Sequence, residues 1–137
     1  MKKLFLFLLI SLFFSFSCKK DIIIVEAYYT NWFGGVKDVR GKDFIIVIDK
    51  ETSKNLQIKH FLINDKKFNV QVEEKEKTIE IKSRISEGID KEIELKNPIE
   101  KNSFGIEYYN TKTNKTKVFK LKKLQYKPRS NQQDKVS

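Results

Sequence analysis

In the stretch TIEIKSRI, Thr78 to Ile85, apolar residues recur with a period of two, at 79, 81 and 85, with Ser83 at the remaining position of that register. Successive side chains of an extended chain point to opposite faces. Ile79, Ile81 and Ile85 therefore share one face, and Glu80, Lys82 and Arg84 the other. That is the pattern of a half-buried antiparallel strand, apolar toward a core and charged toward water.

The same period of two extends outward along the chain. FNVQVE places Phe68, Val70 and Val72 on one face, with Asn69, Gln71 and Glu73 opposite, and KEIELK repeats the pattern with Ile93 and Leu95. Together Phe68, Val70, Val72, Ile79, Ile81, Ile93 and Leu95 form the expected core. FIIVI, Phe44 to Ile48, is apolar on both faces, as in a central strand covered on both sides. DIIIVEAYY reads the same way, interrupted by Glu26, and LQIKHFLI is a mixed strand. Turn residues separate these runs: Asn64-Asp65-Lys66-Lys67, Glu73 to Lys77, Ser86-Glu87-Gly88, Asn97-Pro98, and Asn110 to Thr116. In KVFKLKKLQY, Val118 is out of phase with Phe119 and Leu121 but in phase with Leu124 and Tyr126, which predicts a bulge or a twisted edge.

Seven or eight short strands at about 8–12-residue spacing, without an amphipathic helix, define an all-β chain. The expectation is a single antiparallel β-sandwich of immunoglobulin-like architecture, or a partly open barrel. It divides the chain into a helical signal segment over 1–17, a β-domain over 18–127 and a disordered polar tail over 128–137.

The signal segment is read from Lys2 and Lys3 followed by an apolar run from Leu4 to Phe16. A bilayer span needs about 20 apolar residues, whereas a secretory signal uses an apolar core of about 7–15. Ser15 and Ser17 supply small side chains at −3 and −1 before Cys18, the only cysteine of the chain. Ser17-Cys18 after such a run resembles the lipobox of bacterial lipoproteins, departing from it where Ser15 replaces the usual Leu. The resemblance implies cleavage before Cys18, acylation of its thiol and amine, and a cell-envelope protein anchored to a membrane without spanning it. Absence of Asp after the cysteine (Lys19 stands there) implies outer-membrane delivery by the same resemblance and leaves the membrane face open. The other readings of these residues are cleavage with a free thiol and an uncleaved anchor.

The chain carries a net charge of +10, and three of its 28 basic residues, Arg40, Arg84 and Arg129, are arginines. Nucleic-acid readers rely on the bidentate arginine fork, so nucleic acid is not an expected partner. Lysines interleaved with Glu and Asp form an ordinary solvated surface. Such a surface on a lipid tether favours weak electrostatic contact with anionic glycans or lipid head groups.

No catalytic constellation, metal set or cofactor motif emerges, and the chain is not expected to be an enzyme. His60 is the only histidine, and its alternation with Ile58 and Leu62 makes it a partly buried strand residue. Glu73, Glu74 and Glu76 read as a solvated hairpin tip. Gly34-Gly35 lacks the Gly-Lys-Ser/Thr ending of a phosphate loop. The densest stretch is EAYYTNWFGGVKDVRGKDF, Glu26 to Phe44, which holds the only tryptophan. It resembles the front of small lipoproteins of flavobacterial type, a resemblance that brings no activity with it. Trp32, Tyr29 and the outward Tyr109 are candidate ligand-stacking residues; for Trp32 the favoured reading is a core plug at the sandwich end, since a lone aromatic cluster usually packs. Tyr108 should face inward with Phe104 and Ile106. Three roles follow: a non-catalytic binding or structural module of the envelope, a glycan-binding accessory lipoprotein, or an inhibitor or immunity protein against a toxin or lysozyme.

Overall fold

The computed structural model describes residues 21–88 and 91–129. Its strands are β1 (Ile24–Phe33), β2 (Arg40–Asp49), β3 (Leu56–Ile63), β4 (Lys66–Phe68), β5 (Gln71–Glu74), β6 (Thr78–Ser86), β7 (Phe104–Asn110), β8 (Lys115–Leu121) and β9 (Gln125–Tyr126). One sheet runs β5-β6-β2-β1-β9 and the other β4-β3-β7-β8. The two pack as a β-sandwich with open edges.

The decisive stretch forms β6, with Ile79, Ile81, Ser83 and Ile85 buried. β6 pairs with β2, setting Ile81 beside Ile46 and Ser83 beside Phe44. β2 is central to its sheet, and Phe44, Ile45, Ile46 and Ile48 are all buried. Between the sheets Phe44 meets Phe61 at 5.1 Å and Phe104 at 5.5 Å between ring centroids. Tyr108 faces inward with Phe104 and Ile106, as expected, and its hydroxyl donates to Asp21 Oδ2 at 2.9 Å. Burial and the adjacent carboxylate push its phenol pKa up to about 12.

Several strands depart from the sequence pattern. FNVQVE is not one strand. The chain leaves the second sheet after Phe68, crosses at Asn69 and Val70, and enters the first sheet as β5. The Ser83 hydroxyl donates to Asn69 O at 2.9 Å at this crossing. Val72 thus lies on an edge strand and is 46% exposed, outside the core. KEIELK forms no strand. Ile93 and Leu95 still pack on the core from a segment whose backbone is held by buried Asn102. The Asn102 side chain accepts from Lys96 N–H and donates to Lys96 O, both at 2.9 Å, standing where a neighbouring strand would.

The out-of-phase residues in the last apolar run mark a second crossing: β8 ends at Leu121, and β9 joins the opposite sheet parallel to β1. β1 is not covered on both faces. Val25 is the extra residue of a bulge between Ile24 and Glu26, and it and Ile23 are exposed. A second bulge at Lys59 turns Ile58 inward beside Tyr108 and His60 outward beside Glu107, so these two do not share a face. Cys18, the signal segment, and residues 130–137 of the expected tail lie outside the described residues.

Candidate functional site

The β1–β2 hairpin carries the most exposed apolar side chains of the described residues. Phe33 is 75% and Val36 70% exposed. Turn residues are ordinarily polar, because they meet water without burying surface. The turn is nonetheless well built. Gly34 N–H donates to Val39 O at 2.7 Å, and Val39 N–H to Val36 O at 3.1 Å. Gly35 adopts φ +77°, a conformation open to glycine. From the side, Glu87 N–H donates to Arg40 O at 2.9 Å. Gly88 approaches so closely that a Cβ there would lie 1.7 Å from Asp38 O. The tip is therefore buttressed by backbone and presents Phe33 and Val36 on a fixed frame, flanked by Lys37 and Arg40.

Beneath the tip, the outer face of the sheet holds Trp32. Its indole lies over Gly41, its cross-strand partner, and 5.1 Å from the Arg84 guanidinium. Arg84 forks onto buried Asp43 at 2.7 and 2.9 Å, and Lys82 approaches the same carboxylate at 3.7 Å. On the inner face, Lys42 Nζ donates to Asn31 Oδ1 at 3.0 Å and to Glu87 Oε2 at 3.1 Å. A cleft of about 480 Å³ opens here between Tyr29, Lys42, Glu87, Leu95, Pro98 and Glu100. Tyr29 stands 5.4 Å from Tyr126. Burial, then the Glu100 charge and Tyr126, raise its phenol pKa above the ordinary value. The phenol stays neutral at physiological pH, suited to stacking and hydrogen bonding rather than to nucleophilic attack.

The three candidate stacking residues do not converge. Tyr29 lines the inner cleft, and Trp32 is half-buried on the outer face of the first sheet. Tyr109 sits on the other sheet by the β7–β8 turn, its hydroxyl donating to Asn114 Oδ1 at 3.0 Å. Phe33 and Val36 are not among the candidates that the aromatic stretch offers for ligand stacking, although an apolar residue on either side of Gly34-Gly35 is the signal that marks them.

His60 is half-buried on the outer face of the second sheet, where its Nδ1 lies 3.1 Å from Glu107 Oε1. Lys67 Nζ reaches Glu107 Oε2 at 3.0 Å. This is a single carboxylate between an imidazole and an ammonium group, and no group of three or more metal-ligating side chains occurs among the described residues. Glu73, Glu74 and Glu76 are exposed at the β5–β6 hairpin.

Hydrogen bonds from Lys67, then His60, hold the Glu107 carboxyl below the usual carboxylate range. A depressed folded-state pKa stabilises the fold above the unfolded value of about 4.3, and that contribution is lost as pH falls through the folded pKa. Stability should therefore drop more steeply with acid below about pH 4 in the parent than in Glu107→Gln. Denaturant midpoints measured from pH 6 to 2 check this; parallel curves for the two proteins would contradict it.

Comparison of the chain with protein-family models, with curated proteins and with solved structures finds no match. Among the described residues no helix is long and apolar enough to cross a membrane.

Proposed function

We propose that the chain is a lipid-anchored envelope protein, acylated on Cys18 and delivered to the outer membrane, that acts as a non-catalytic module binding another protein through its β1–β2 hairpin tip. The observation that carries this reading is the pairing of exposed Phe33 and Val36 on a turn stiffened by the 87–88 backbone. Apolar side chains gathered on a surface and rimmed by charge mark interaction sites, and a rigid frame lowers the ordering cost of binding. The tip also lies at the far end of β1 from the segment leading to Cys18. Ten residues at about 3.3 Å each set them roughly 30 Å apart. A tether at one end and a knob at the other suit a module that reaches away from its membrane, and a protruding apolar loop of this kind fits an inhibitor or immunity protein that enters a partner's cleft. The glycan reading rests on the Tyr29–Tyr126 pair and its cleft; Trp32, leaning on Gly41 and Arg84, contributes less to it.

Photo-crosslinking in cells tests the proposal, with the reactive side chain placed at 33, at 36, or at Glu73 as a distant exposed control. One saturable protein adduct is expected from 33 and 36 and none from 73. The purified partner should bind the parent at least tenfold more tightly than a Phe33→Ser, Val36→Ser double variant. Equal affinity for the two would refute the tip as the contact.

A further inference from the structure

A second surface runs along the edge of the sandwich between β8 and the start of β1, ahead of Tyr28 and Tyr29 where β9 pairs with β1. There a groove of about 420 Å³ is floored by Ile22, Ile24, Phe119 and Leu121, with Ile23, 48% exposed, at its lip. Lys120, Lys122 and Lys123 line the same groove. The charge pattern of the chain changes at this edge. From Tyr108 to Arg129 the sequence holds seven lysines and one arginine and no Asp or Glu, unlike the mixed charges elsewhere. Lys117 turns to Asp21 at 3.4 Å and Lys127 to Glu26, whereas Lys115, Lys120, Lys122 and Lys123 are exposed.

The position of the N-terminal segment decides what meets this edge. Asp21 is fixed by the Tyr108 hydroxyl and Lys117 beside β8. Cys18 is three residues earlier, a reach of at most about 11 Å. On the reading that Cys18 is acylated, a bilayer surface lies within that distance of Asp21, whose next residues, Ile22 to Ile24, line the groove together with the lysines. Lysines close to an anionic leaflet are attracted to it, and an apolar groove among them has room for acyl chain. We infer that the β1–β8 edge docks on the anionic bilayer that holds Cys18, the lysines meeting lipid phosphates and the Ile22–Leu121 groove meeting acyl chains. The domain then rests on the start of β1 and the end of β8, and its hairpin tip, at the other end of β1, is directed away from the membrane.

The test uses residues 18–137 with Cys18→Ser, which keep the whole described sandwich and lack the acyl group, added to vesicles of phosphatidylglycerol or of phosphatidylcholine. Binding to the anionic vesicles should be at least tenfold tighter and should weaken with salt. Lys120→Gln, Lys122→Gln and Lys123→Gln together should lower that affinity about 100-fold, roughly fivefold per lysine, with an unchanged melting temperature. Ile23→Ser should weaken binding several-fold while leaving its salt dependence intact. Equal binding to both vesicles, or a triple variant that binds like the parent, overturns the inference. Because this protein carries no acyl group, its failure removes the docked edge alone. An unmodified Cys18 in cells, with anionic binding intact, would remove the anchor alone.

Discussion

Phe44→Ala is expected to cost about 3–5 kcal/mol, the range for deleting a fully buried aromatic side chain. Phe44 is 0% exposed and lies on the central strand of the first sheet. Its ring touches Phe61 on β3 and Phe104 on β7, both in the opposite sheet. Truncation would leave a cavity bounded by two other rigid rings, which collapse poorly into it. Val72→Ala is the matched contrast. An alternation pattern alone places Val72 in the core, but on the edge strand it is exposed, and the substitution should stay within about 0.5 kcal/mol. Urea unfolding of the two variants checks the pair. Similar costs would mean that the sheets do not pack as described.

Gly41→Ala should be nearly as damaging, at about 3 kcal/mol, the upper end of the usual cost of overpacking. A Cβ at residue 41 would stand 1.9 Å from Ile85 O and 2.7 Å from Trp32 Cζ2. The first contact presses on the β2–β6 ladder and the second on the indole. Neither neighbour is the free end of a flexible chain, so backbone and ring must both move. Trp32 is the only tryptophan, so its fluorescence reports the displacement directly. Gly35→Ala provides the comparison. Nothing lies within 4 Å of its added Cβ, and only its φ of +77° opposes the change, at roughly 1–2 kcal/mol. A Gly41→Ala protein with parental stability and emission would contradict the placement of Trp32.

These residues also show what the sequence makes legible. β6 and β2 are plain in it because each stays in one sheet from end to end, so period two and burial coincide. FNVQVE and KVFKLKKLQY fail for a common reason. Side-chain alternation survives a crossing between sheets, since an extended chain keeps its period while it changes hydrogen-bonding partner. KEIELK alternates for a third reason, because Ile93 and Leu95 face a core while Asn102, not a strand, satisfies Lys96. The two bulges are illegible for want of any signal: Val25 and Lys59 are ordinary strand residues.

The candidate site is legible only in part. The aromatic stretch from Glu26 to Phe44 draws the eye to Tyr29 and Trp32, yet the exposed pair is Phe33 and Val36. Exposure depends on what packs nearby, here the 87–88 backbone that sits more than forty residues away in sequence. The basic edge is present in the sequence as a run without acidic residues. Its apolar groove is not, since Ile22 and Leu121 meet only through the fold.

The proposed acyl tether on Cys18 would give both surfaces their direction, and the mass of the intact protein recovered from cell envelopes is its sharpest test. The expected protein begins at Cys18 and carries the added mass of a diacylglyceryl group, with or without a further acyl chain on the amine, and it leaves the membrane fraction when Cys18→Ala is made. A chain that begins at Cys18 with no added mass, or one that retains Met1 through Ser17 and stays in the membrane after Cys18→Ala, would contradict it.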